Sequence, residues 1–211
     1  MRILFAVMFT GMFTRTRCSS DEFPHTVLRS KMLTVTVYTP DAKKGYYRAS
    51  RFEWSSMIGR VTLDGNTSFL DDWRKPHDPE IPEHGIGFAE EFGMANPPGF
   101  EPRKGSRFLK LGVGVCENDA NAPYDFNHAY RVVDPGYWSV QSTESSMVLK
   151  THKTLGKHGY AFEKRISVEN ATMTIHHTLE NIGKKPISTW TYSHNFFNRP
   201  NMYTGANFTF E

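Results

Sequence analysis

Tyr160-Ala161-Phe162-Glu163-Lys164-Arg165-Ile166-Ser167-Val168-Glu169-Asn170-Ala171-Thr172-Met173-Thr174-Ile175 is the stretch that decides the fold class. Counting by two places Tyr160, Phe162, Ile166 and Val168 on one face, and beyond Glu169-Asn170-Ala171 it places Met173, Ile175 and Leu179 together. Successive side chains of an extended chain project to opposite sides, so this period marks a strand with one buried face. Two such runs around a short polar connection predict a hairpin. Asn181-Ile182-Gly183-Lys184-Lys185-Pro186 then reads as a turn into a further run over 187–197, which predicts a three-stranded antiparallel meander. Runs at 32–38, 108–115, 137–141 and 147–150 alternate or are β-branched, and no long segment keeps a helical period. The chain reads as almost entirely β.

The run over 187–197 also carries the first chemical signal. Its alternation puts Trp190, Tyr192, His194 and Phe196 on one side and Ile187, Thr189, Thr191, Ser193 and Asn195 on the other. An aromatic face stacks on the apolar face of a sugar ring, and an imidazole within that face exchanges a proton with a ring or hydroxyl oxygen. The competing reading is a core strand whose histidine is buried and hydrogen-bonded.

With 211 residues the chain forms one large β domain or two small ones. Hydrophobic residues make up 38% and aromatic residues 14%, and mean hydropathy is below zero, which describes a globular protein and not a disordered or membrane-embedded one. The net charge is +3, with 25 basic residues scattered among 22 acidic ones, so nothing asks for nucleic acid or an anionic membrane as partner. Nine histidines occur without a spacing that groups them into a metal site, and no cofactor motif is present. Arg2 followed by the apolar run 3–13 reads as a secretory leader over 1–20, with 21–211 as the domain; otherwise the chain is cytoplasmic. Removal of that leader past Cys18 leaves Cys116 as a single thiol. Asn66, Asn170 and Asn207 sit in glycosylation patterns that matter only for a secreted chain.

Between Asp71 and Lys104, prolines at 76, 79, 82, 97, 98 and 102 and glycines at 85, 87, 93 and 99 predict a long functional loop. It holds His77, His84, Glu90 and Glu91; the two glutamates point to opposite sides if extended, so at most one faces a ligand, and a solvated acidic turn is the plainer alternative. Upstream, Tyr47, Ala49, Arg51 and Glu53 share a face, with Trp54 on the opposite one. Arg51 and Glu53 either pair with each other or, with the aromatics, hold sugar hydroxyls. The loop is expected to bring His84 and one of the two glutamates to the same mouth as His194 and Arg51.

In order along the chain, Tyr47-Arg48-Ala49-Ser50-Arg51-Phe52-Glu53-Trp54-Ser55, Gly87-Phe88-Ala89-Glu90-Glu91-Phe92, Leu109-Lys110-Leu111-Gly112-Val113-Gly114-Val115, Asp134-Pro135-Gly136-Tyr137-Trp138 and Tyr192-Ser193-His194-Asn195-Phe196-Phe197 resemble the aldose 1-epimerase, or galactose mutarotase-like, superfamily. The likeness is closest to its less characterised branch. It implies an antiparallel β-supersandwich whose concave face binds a monosaccharide or a unit of a glycan, and an isomerase chemistry of anomeric epimerisation. It further implies that His194 protonates the ring oxygen and that His84 helps to bind the sugar. The family's glutamate base stands on a later strand, with no visible equivalent before Glu211, so the resemblance predicts a domain incomplete at its C-terminus.

Three functions follow as expectations. The first is an aldose epimerase-type protein with His194 as acid, Glu91 as a poor substitute base, and Arg51, His84 and Trp54 around the sugar. The second is a non-catalytic carbohydrate-binding protein that uses Arg51, Glu91 and His194 as a platform. The third is a structural remnant without a ligand.

Overall fold

The computed structural model describes residues 23–65, 67–70, 76–93 and 96–196. The leader over 1–20, Cys18, the patterns at Asn66 and Asn207 and the stretch 204–211 lie outside the described residues.

The described chain is all-β and its sheets are antiparallel. β1 (His25–Arg29), β2 (Leu33–Tyr38), β3 (Ile58–Leu63) and β4 (Thr67–Leu70) form one sheet in chain order. Its inward residues are those that alternation demands, with Leu33, Val35 and Val37 buried along β2. After a short 3-10 turn at Trp54–Ser56 and the proline-rich segment comes β5 (Phe88–Phe92). β6 (Arg107–Lys110), β7 (Gly114–Glu117) and β8 (Arg131–Pro135) make a three-stranded sheet, and β9 (Trp138–Ser142), β10 (Ser146–Leu155), β11 (His158–Glu169) and β12 (Thr172–Asn181) a four-stranded one. β13 (Thr191–Asn195) pairs with β5.

Residues from all four sheets contribute to one hydrophobic cluster, in which Val35, Phe108, Leu149, Tyr160 and Ile166 are fully enclosed. This is a sandwich-like arrangement of sheet faces over a shared core. The turns are also tied across sheets: Ser30 Oγ donates to Asn170 O at 2.5 Å and Arg29 N–H to Glu144 O at 2.7 Å.

The β11–β12 hairpin is built as the sequence predicts. Glu169 faces Thr172, leaving Asn170-Ala171 as a two-residue turn, and Asn170 takes the left-handed φ of 48° that asparagine tolerates well. The predicted three-stranded meander is corrected in two ways. β12 is an edge strand of a four-stranded meander whose other members precede it, and the run over 187–197 shortens to β13, which leaves its sequence neighbours to pair with β5. Backbone groups in 182–185 instead bond back to the start of β11, through Gly159 O and Lys157 O, so the chain leaves the sheet there. The predicted loop over 71–104 contains β5, a five-residue strand whose paired acidic residues hide its alternation. The run 108–115 divides into β6 and β7, because Gly112, at φ +70°, makes a turn on which a Cβ would collide with Glu53.

Candidate functional site

β5 and β13 place the site. Their ladder pairs Thr191 with Phe92 through to Asn195 with Phe88, and it continues at both ends, with Gly93 N–H donating to Trp190 O at 3.1 Å and Phe196 N–H to Gly87 O at 2.8 Å. Gly87 opens the strand at φ +70°, where a Cβ would stand 2.6 Å from Ile58 O, so only glycine lets β5 lie this close to β3. Tyr192, His194 and Phe196 come to one side, as alternation requires. His194 stacks on Phe196 with ring centroids 4.2 Å apart, and Phe52 meets both rings edge-on at 6.0 and 6.1 Å. His194 is exposed, and among the described residues no group hydrogen-bonds its ring nitrogens. The reading of His194 as a buried core histidine is therefore corrected.

Glu90 and Glu91 point to opposite sides of β5 and enter two different charge clusters. On the His194 side, Glu91 is completely buried and its Oε2 accepts from Arg51 Nε at 3.0 Å and from the Tyr192 hydroxyl at 2.8 Å. Arg51 Nη2 donates to the Tyr192 oxygen at 3.1 Å and Nη1 to Asn127 Oδ1 at 3.1 Å, while the guanidinium lies 4.8 Å from the ring centres of both Phe52 and Phe126. Burial alone would disfavour the Arg51 charge, but hydrogen bonds to Tyr192 and Glu91 outweigh it and hold its pKa above the ordinary value. Burial raises the Tyr192 phenol pKa, so Tyr192 is a donor to Glu91 at neutral pH. Glu83, a 41% exposed carboxylate, stands 4.0 Å from Arg51 Nη1. Among the described residues Glu91 Oε1 has no hydrogen bond; Lys110 Nζ is 3.7 Å away, held by Phe92 O at 2.7 Å and the Tyr124 hydroxyl at 2.8 Å. Burial lowers the Lys110 pKa to about 8.

On the other side of β5, Glu90 Oε2 accepts from Lys164 Nζ at 3.0 Å, and Oε1 lies 3.3 Å from His177 Nδ1. The buried Lys164 also bonds Glu53 Oε1 at 2.5 Å, and Glu53 Oε2 accepts from the Ser55 backbone N–H and hydroxyl at 2.7 and 2.6 Å. Glu53 thus pairs with Lys164, and the expected alternative of an Arg51–Glu53 pair gives way to Arg51–Glu91.

The structure brings together three of the five sequence-predicted residues: Arg51, Glu91 and His194. Trp54 is buried with its indole N–H on Ala49 O at 2.9 Å, and it borders a separate cavity of about 300 Å³ with Arg48 and Tyr130. His84 is half-buried, its Nδ1 accepts from Asp78 N–H at 3.0 Å, and its ring leans on His77 at 5.7 Å. Sequence reasoning missed Lys110, Lys164, Asn127 and Glu83. Two of these had a visible signal: Lys164 falls on the apolar face of Tyr160, Phe162, Ile166 and Val168, and Lys110 interrupts Phe108-Leu109-Lys110-Leu111. A lysine in an apolar stripe needs a buried carboxylate. Among the described residues no three His, Cys, Asp or Glu side chains converge as a metal site, and no helix is long and apolar enough to cross a membrane.

Comparison with known proteins finds no family whose pattern matches the chain, and no curated protein or solved structure that matches it.

Proposed function

We propose that the chain binds a neutral sugar on the Tyr192–His194–Phe196 face and that its chemistry is of the aldose 1-epimerase type, on a galactose mutarotase-like supersandwich. The observation that carries this reading is an exposed, stacked histidine beside a network in which the half-buried Arg51 and Tyr192 both bond the buried Glu91. Aromatic rings bind the C–H face of a pyranose, and the guanidinium edge and the phenol supply directional hydrogen bonds to hydroxyls. Epimerisation removes the proton of the anomeric hydroxyl, breaks the bond from C1 to the ring oxygen as that oxygen gains a proton, and recloses the resulting aldehyde on its other face. In this reading His194 gives the ring-oxygen proton and takes it back.

Glu91 fits the base role poorly, because its Oε2 is spent on Arg51 and Tyr192 and the carboxylate is closed to solvent. It positions those two groups. That burial favours a second reading, a sugar-binding protein with little turnover. Titration calorimetry with glucose and galactose, run beside polarimetric mutarotation, separates the two. Binding with turnover that His194→Ala abolishes supports the epimerase, and binding without turnover supports the platform. Absence of any sugar binding, or turnover indifferent to His194→Ala, sinks the proposal.

A further inference from the structure

Trp190 is 70% exposed, an unusual position for the largest apolar side chain. It belongs to the same ladder as the histidine: Gly93 N–H bonds Trp190 O one step beyond the Thr191–Phe92 pair. Counting back through the unbroken ladder from His194 puts Trp190 on the side of Tyr192 and His194. Four residues of strand separate Trp190 from His194 by roughly 13 Å. That is longer than one pyranose ring and close to the span of a trisaccharide.

Trp190 borders a cleft of about 540 Å³, within the size range of small-ligand sites. Pro97 and Pro186 form rigid walls and Phe100 lies within the lining. His158 also lines the cleft, and among the described residues its buried Nδ1 has no hydrogen bond. A buried polar atom of this kind calls for a partner such as a hydroxyl or a water. Burial, together with nearby Lys185, lowers the His158 pKa, so the ring is neutral at pH 7. Lysine, arginine and carboxylate side chains are missing from the described lining, which suits an uncharged ligand rich in hydroxyls and not a nucleic acid or an acidic peptide.

We infer that the ligand is a neutral oligosaccharide of at least three units, with its reacting or terminal ring at His194 and a distal ring stacked on Trp190 in the cleft beside His158. This rests on the sugar-binding reading above. The chemistry would then act on the end of a chain, with the cleft selecting for length.

The test compares glucose, cellotriose and maltotriose by titration calorimetry on the full chain and on Trp190→Ala and His158→Ala. The expected result is that one of the trisaccharides binds at least tenfold more tightly than glucose. Trp190→Ala should remove that advantage and leave the glucose affinity within twofold, and His158→Ala should remove part of it. Because Trp190 is exposed, Trp190→Ala should not alter the melting temperature by more than about a degree. Glucose binding with no gain for either trisaccharide, or a gain that survives Trp190→Ala, overturns the extended site and leaves the sugar-binding reading standing. No binding of any of the three sugars overturns both.

Discussion

Glu90 and Glu91 are adjacent in sequence and share one strand, yet the clusters they enter differ in kind. Around Glu90 the buried hydrogen bonds are complete: Lys164 bonds Glu53 and Glu90, Ser55 caps the remaining Glu53 oxygen, and the exposed His177 stands 3.3 Å from the last Glu90 oxygen. Around Glu91 one buried carboxylate oxygen lacks a hydrogen bond among the described residues, the arginine it holds lies 4.0 Å from the half-exposed Glu83, and an exposed histidine stands on the same face. The cluster with its buried bonds complete joins the sheets. The other keeps a buried carboxylate oxygen without a hydrogen bond beside an aromatic surface, which is the pattern of a candidate site and not of a finished joint.

Substitutions should separate the two. Lys164→Met leaves Glu53 and Glu90 uncompensated in the core, and loss of one partner of a buried pair costs about 3–5 kcal/mol. Thermal melts should show a fall of roughly 10 °C for a chain of this size. A fall no larger than that of a surface lysine would mean that the Lys164 cluster is not the joint described. Glu91→Gln keeps the shape of the side chain and removes its charge; it should cost about 1–3 kcal/mol in urea unfolding and weaken sugar binding through the loss of Arg51 and Tyr192 alignment. Glu90→Gln should destabilise without changing binding at the aromatic face, and an equal loss of binding in both variants would erase the distinction. His194→Ala should change stability by less than about 0.5 kcal/mol, while any turnover falls by about 10² to 10⁴.

A smaller effect lies in the pH dependence. Lys110 titrates at about 8 when folded and near its ordinary 10.5 when unfolded. From pH 8 upward the unfolded chain therefore holds more protons, and stability rises. Burial pushes the Cys116 thiol up to about 12 from an ordinary 9.0, so above pH 9 the folded state holds an extra proton there and the thiol's contribution falls, opposing that of Lys110. Chemical denaturation across pH 7 to 10 should show stability rising from pH 8 and levelling off above pH 9, where the losses at Cys116 and at the buried phenols of Tyr47, Tyr124 and Tyr160 offset the gain at Lys110, and Cys116→Ala should move the levelling-off to higher pH. A monotonic decline from pH 7 in the native chain would contradict the burial of the Lys110 charge.

The local parts of the fold were legible because their information is local. Alternation and an asparagine turn define β11 and β12, and the aromatic side of β13 follows from parity alone. What could not be read is which strand β13 meets. Pairing with β12 satisfies the same pattern, and β5 is short, flanked by glycines and carries two glutamates that look like a solvated turn. The site was half visible for the same reason. Arg51, Glu91 and His194 stood out as chemistry, whereas the burial that distinguishes Glu91 from Glu90 depends on which sheet packs on each side of β5. Lys164 and Lys110 were detectable as faults in apolar runs, and the hairpin count passed over the first of them.

The union of β5 with β13 also bears on when the site comes into being. Ala89 and His194 are register partners although about a hundred residues separate them, whereas β9 to β12 are joined by successive short hairpins. Closing a loop of that length before any contact rewards it makes such pairing slow, while the hairpins can zip from their turns. The four-stranded sheet is then a platform that forms early, and the aromatic face of Tyr192 and His194 is completed when the late strand docks. Among the described residues β13 is held by one neighbour over five residues, so its amides should exchange with solvent well ahead of those in β10 and β11.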